Sequence, residues 1–147
     1  MYDPRYDGVD HINIYSKGKT ELGTFLTNLS NVKVTTKNGD FSSLEAYWYW
    51  LSTKDERLRY LGGFAAKKLG KTLKREMLDE NEFRNCIYEA SWNKIHRHPQ
   101  CLQMFKESTF PFTHYYVYGD VPRDAGFKWI VEMWELFRTY IKNNYHN

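Results

Sequence analysis

With only two cysteines, Cys86 and Cys101, the chain cannot build a disulfide framework, and in a reducing compartment both read as core thiols. No run approaches the ~18 apolar residues of a membrane span. The first five residues, Met1 to Arg5, lack the basic and then apolar order of a signal peptide, so no membrane partner and a cytoplasmic location are expected. Metal motifs are missing as well. There is no CxxC or HExxH pattern, and His96 and His98, two apart, would point to different faces of a helix, so no metal site is expected. Lys67 to Thr72 ends in Gly-Lys-Thr, but a phosphate-cradling GxxxxGKT loop needs a glycine at position 65, where the chain has Ala65. No cofactor is expected. Charge of one sign is scarce too: 21 basic against 18 acidic side chains leave +3, too mild for a nucleic-acid binder that relies on a concentrated patch.

What the chain has is rings. Aromatics make up 18% of it, as 12 Tyr, 9 Phe and 5 Trp, while the mean hydropathy is -0.72. Such a composition predicts a core of a few large rings with polar edges, and flat faces left over for stacking on bases or sugars. At 147 residues the length suits one domain with a real core. Residues 1–10 are polar, aperiodic and carry Pro4 and Gly8, and read as a loosely held arm before a single domain of residues 11–147.

Short strands are expected first. Ile12 and Ile14 alternate in a half-buried pattern, and Val32 and Val34 alternate before Asn38-Gly39, a strong turn signal because both residues tolerate positive φ. Between them, Glu21 to Ser30 shows no clear period and reads as a loop folding inward. Later, Thr113 to Tyr118 is rich in strand-favouring residues, and Gly119 to Pro122 reads as a turn.

Helices account for most of the rest. Asp79 or Asn81 can cap one running to about Arg97, with Phe83, Ile87, Ala90 and Lys94 or Ile95 buried. His98-Pro99 ends it, and Pro99 opens another to Lys106 that buries Leu102 and Phe105. The final helix is expected from a cap at Asp124 to about Asn143. It carries two neighbouring apolar stripes, Phe127, Ile130, Trp134, Phe137 and Ile141 beside Trp129, Met133, Leu136 and Tyr140. That much apolar circumference predicts a central helix, with its tryptophans in the core. The pattern as a whole predicts a helix-rich α+β fold with a small sheet of short strands.

The densest stretch is Phe41 to Trp50, FSSLEAYWYW, with five aromatics around one carboxylate, Glu45. Two readings stand side by side. Ser42 and Glu45 fit a capping box, with Leu44, Tyr47, Trp48 and Leu51 as the core stripe of the helix they start. Alternatively, Glu45 is an acid set among rings, whose pKa desolvation would raise into the range of a proton donor. A second ambiguous feature is basic: Lys67, Lys71 and Lys74 fall on one helical face, either a solvated surface or a cationic rim for phosphate.

Several fragments, in order, resemble the YbiA-like family, also called NADAR. Ile12-Asn-Ile-Tyr-Ser16 is similar to the family's INFYS and Phe25-Leu-Thr-Asn-Leu29 to its FLSNF. Ser43-Leu-Glu-Ala-Tyr-Trp48 is similar to TVEHYF, Ala66-Lys-Lys-Leu-Gly-Lys71 to AKxLGR, and the last helix to the family's closing helix. The resemblance runs from Ile12 to about Arg138 and implies a helix-rich domain with a small sheet. It also implies an N-glycosidase activity on small ribosyl or ADP-ribosyl compounds, such as ribosylated riboflavin precursors, or on ADP-ribosylated nucleic acid. By position, Glu45 falls on the acidic residue held to be catalytic and Asn28 on a loop asparagine, and Tyr118-Gly119-Asp120 lies where the family has Trp-Gly and a pocket-lining loop. The chain departs from the pattern at Ala46, Tyr49, Ser52 and Tyr118, where the family has His, Gln, Lys and Trp, and near Asp79, where a tryptophan has no counterpart.

Cleavage of a C–N glycosidic bond passes through a sugar cation and needs carboxylates to steady it, activate water and help the base leave. Glu45 and Asp120 are the candidates for that work. Tyr47, Trp48 and Tyr118 are the candidate ring-binding residues, and Lys67 and Lys71 the candidate phosphate ligands. Two alternatives remain at this level. One is a binding protein that sequesters a nucleotide without turnover, favoured by the departures; the other is a nucleic-acid-binding module using Lys67, Lys71 and Lys74.

Overall fold

A computed structural model describes residues 2–144. In chain order the elements are β1 (Ile12–Asn13), α1 (Glu21–Leu26), β2 (Val34–Thr36), β3 (Gly39–Phe41), α2 (Leu44–Thr53), α3 (Gly63–Gly70), α4 (Glu80–His96), α5 (Pro99–Glu107), β4 (Phe112–Thr113), β5 (Tyr115–Tyr118), β6 (Val121–Asp124) and α6 (Lys128–Asn144). The class is helix-rich α+β, as the sequence predicts. In place of one small sheet the described residues form three two-stranded pairs, β1–β4, β2–β3 and β5–β6. Among the described residues no helix is long and apolar enough to cross a membrane. The chain divides into two compact units, Met1–Thr27 with Pro99–Asn147, and Asn28–His98.

In the first unit the two ends of the sequence meet in the parallel pair β1–β4, where Ile12 lies opposite Phe112. Two strand residues make a weak ladder, and side chains extend it. Asn13 accepts from the Tyr115 amide at 3.0 Å and donates to the Tyr115 carbonyl at 2.9 Å. Asp7, buried, accepts from the amides of Asn13 and Lys19, both at 2.9 Å. The aperiodic N-terminal stretch is thus tied down by one carboxylate.

The segment read as an inward loop holds the six-residue helix α1. Thr20 caps it, accepting from the Gly23 amide at 2.9 Å, and Leu22, Phe25 and Leu26 are buried. Strand β6 replaces the expected run of turn. Only Gly119, with φ +62°, and Asp120 turn the chain, and Val121 to Asp124 pair back on β5 with Pro122 opposite Val117. Asp124 therefore ends a strand, and its carboxylate accepts from the Gly126 amide at 2.8 Å instead of capping α6. The helix starts four residues later. Its first stripe is buried from Ile130 to Ile141, and Trp134 meets Phe105 of α5 edge-on at 5.7 Å. The second stripe is covered only in part: Met133 is buried, while Leu136 and Tyr140 are 58% and 51% exposed.

The second unit is built on α2. The antiparallel hairpin β2–β3 turns through Lys37 and Asn38, one residue before the expected Asn38-Gly39, with Gly39 at φ +100° already paired with Thr36, and delivers the chain to the helix start. Helix α4 begins after Asp79, whose carboxylate accepts from the Glu82 amide at 3.2 Å, and buries Phe83, Ile87, Ala90, Lys94 and Ile95 together. The wholly buried Lys94 donates to the Ser30 hydroxyl at 2.8 Å, which holds the loop after Thr27. Leu44, Tyr47 and Leu51 line the buried face of α2.

Candidate functional site around Glu45

Two sequence readings of the start of α2 are decided by its hydrogen bonds. The cap is Ser43, not Ser42: the Ser43 hydroxyl accepts from the Ala46 amide at 3.1 Å and donates to the Leu61 carbonyl at 3.1 Å. The amide of Glu45 is satisfied by the main-chain carbonyl of Asn28 at 2.9 Å. With the helix end served in this way, the Glu45 carboxylate is released from capping. It makes no hydrogen bond or ion pair among the described residues.

Glu45 is half-buried, and the loss of water pushes its pKa from 4.5 up to about 7. Lys67, Lys71 and Arg75 pull in the opposite direction. A first-turn position in a helix also favours the charged form. Desolvation outweighs all of these, so near neutrality the group is shared between acid and base.

The cations arrive by a route the sequence does not display. Helix α3 stops at Gly70, where a Cβ would run into the Tyr49 ring of α2. At the other end of α3 the Gly63 amide donates to Asn31 Oδ1 at 3.0 Å, and a side chain at Gly63 would strike the Leu29 backbone. Both ends of α3 are thus pressed against α2 and the loop that carries Asn28. That packing places the backbone that carries Lys67, half-buried, and Lys71, exposed one turn later at the end of the helix. Beyond Gly70 the chain is not helical, so Lys74 does not continue a stripe. Arg75 takes its place: its Nε donates to Ser52 Oγ at 2.8 Å, and its guanidinium lies 5.0 Å from the centre of the Tyr49 ring. Reckoning helical spacing past residue 70 led to Lys74, whereas a glycine at that point is itself a stop signal.

The chain is similar in fold to YbiA of E. coli. Its NMR structure superposes with a TM-score of 0.70 at 14% sequence identity, covering 94% of this chain and 90% of YbiA. The sequence matches no family model and no curated protein. At that identity the likeness to YbiA shows the fold alone.

Within that YbiA-like fold, Asn28, Glu45, Lys67 and Lys71 all belong to the second unit, where the main chain joins Asn28 directly to Glu45. Trp48, one turn along α2 from Glu45, is half-buried with its ring edge-on to Phe83 at 4.7 Å. Tyr47 is no ligand contact. It is wholly buried, lies 4.8 Å from the Phe41 ring, and accepts a hydrogen bond from Asn38 at 2.8 Å. The helical period that puts Leu44 and Leu51 in the core puts Tyr47 there too. Tyr118 and Asp120 belong to the first unit, at the tip of the β5–β6 hairpin, where both are exposed. Asp120 lines a hollow of about 810 Å³ there, together with Arg5, Asn13, Tyr15 and Lys19. Among the described residues no group of His, Cys, Asp and Glu is placed to hold a metal ion.

Proposed function

We propose that the chain is an N-glycosidase that cleaves the bond between ribose and a base or amine in a phosphoribosyl or ADP-ribosyl compound. The observation that carries this reading is the Glu45 carboxyl, freed from capping, desolvated to a pKa of about 7 and faced by three cations. A group poised at the working pH is the one best able to give and then retake a proton. In the first step the C1′–N bond breaks, its electron pair goes to the departing nitrogen, and the Glu45 proton goes with it. The ribosyl cation left behind is steadied by the new carboxylate. Water then adds to C1′, and its proton returns to Glu45. Lys67 and Lys71 hold the phosphate, the half-buried ring of Trp48 offers a face for the leaving group, and Asn28 contributes a side-chain amide beside the acid.

The test is incubation of the pure protein with phosphoribosyl amines and ADP-ribosylated nucleosides, followed by mass spectrometry for free base. Base release by the wild type, lost in Glu45→Gln with ligand binding intact, supports catalysis. A wild type that binds these compounds and never releases base is a sequestering protein, and the proposal fails.

A further inference from the structure

Lys67, Lys71 and Arg75 form no ion pair with a carboxylate among the described residues. All three act on Glu45, which is uncharged for much of the time at neutral pH. Helix α2 has no second charged residue and the loop from Asn28 to Asn31 has none, while Glu76, beside Arg75, donates its amide to the Ser52 carbonyl at 2.7 Å, so the three cations outnumber the acids next to them. Arg75 is held in place by Ser52 and the Tyr49 face, while Lys67 is half-buried on the last turn of α3 and Lys71 is exposed just past its end. An anchored guanidinium with two unpaired ammonium groups makes a receptor for a multiply charged anion, and Arg supplies the forked donors a phosphoryl group matches.

We propose that Lys67, Lys71 and Arg75 form one seat for a doubly charged phosphoryl oxyanion, and that filling this seat loads the Glu45 carboxyl with a proton from solvent. The three cations are what favour the ionised form of Glu45. An anion bound among them cancels that influence and adds its own repulsion, so proton and anion bind together. Resting on the N-glycosidase reading for its chemistry, this makes the phosphate part of the catalytic apparatus: the acid is charged with the proton it must donate only when a phosphorylated substrate is present. Arg75 is a positioning residue here, acting on Glu45 through the anion it holds.

The experiment is isothermal titration calorimetry of inorganic pyrophosphate into the full chain at pH 7, in two buffers of different ionisation enthalpy. Wild type is expected to take up about half a proton more per pyrophosphate bound than Glu45→Gln, since a group half-protonated at its pKa is driven towards full protonation. Glu45→Gln still binds. Arg75→Ala, and separately Lys67→Ala with Lys71→Ala, weaken binding at least tenfold, and Arg75→Lys, which keeps the charge without the fork, weakens it less. Absence of binding by the wild type, equal proton counts with and without Glu45, or undiminished binding by Arg75→Ala would each overturn the proposal. The count comparing wild type with Glu45→Gln does not depend on how the arginine variants fold. Base release as fast from unphosphorylated ribosides would sink this inference and leave the N-glycosidase reading standing. Pyrophosphate binding with the expected uptake, and no base release from any riboside, would do the reverse.

Discussion

Replacing Glu45 by Gln keeps the shape of the side chain and removes its charge, so its effect on stability isolates the cost of burying a carboxylate. The folded-state pKa of about 7 lies about 2.5 units above the ordinary value of 4.5. At 1.36 kcal/mol per unit that is about 3 kcal/mol, and partial access to water reduces it to about 2 kcal/mol. The sign follows from which state holds the proton. Between pH 4.5 and 7 the unfolded chain gives up the Glu45 proton while the folded chain keeps it, so stability falls as pH rises through that window and is level above it. Urea denaturation of both proteins from pH 4.5 to 8 reads this directly. Glu45→Gln should match wild type near pH 4.5 and exceed it by about 2 kcal/mol above pH 7. A difference independent of pH, or a wild type that gains on the variant as pH rises, would refute the claim that desolvation outweighs the three cations.

Other variants test the supporting frame. Ser43→Ala removes the cap of α2 and should cost about 1–2 kcal/mol in denaturant melts, while Ser42→Ala stays within about 0.5 kcal/mol. Gly70→Ala forces a methyl group into the Tyr49 ring and should cost about 1–3 kcal/mol and displace Lys71, the next residue. Thermal melts read the first effect and anion affinity the second. Glu135→Ala leaves the buried Arg138 short of its 2.8 Å partner and the Phe112 amide without its 2.7 Å acceptor. A loss of about 2 kcal/mol or more is expected, and a neutral result would show that Ser108 and the Phe112 ring suffice for the arginine.

The parts legible in the sequence are those with a cap and several turns of period. Asp79 and the stripe from Phe83 to Ile95 specify α4 without tertiary help, and Gly39 betrays the hairpin through its positive φ, although the turn itself is Lys37-Asn38 and Asn38 does not take a positive φ. Helix α1 is not legible because six residues contain too little period to register, and Gly23 within it reads as a loop residue. Strand β6 was hidden by Pro122, which a strand at a sheet edge tolerates and a turn favours equally. At the site, the sequence offers Glu45 as either a helix cap or a desolvated acid, and the hydrogen bonds that decide between them are tertiary. Two neighbouring serines compete for the cap, and only the hydrogen bond from the Ser43 hydroxyl to Leu61 selects one. Arg75 is passed over in favour of Lys74 when helical spacing is carried beyond Gly70, and its contacts with Ser52 and the Tyr49 ring are tertiary.

The protonation of the Glu45 carboxyl is observed directly by carbon-13 NMR of glutamate-labelled protein, with Glu45→Gln used to assign the resonance. A midpoint near pH 7, moving upward when pyrophosphate is added, is the result expected. A midpoint between pH 4 and 5, indifferent to pyrophosphate, would mean that Glu45 is an ordinary solvated acid and would contradict the account.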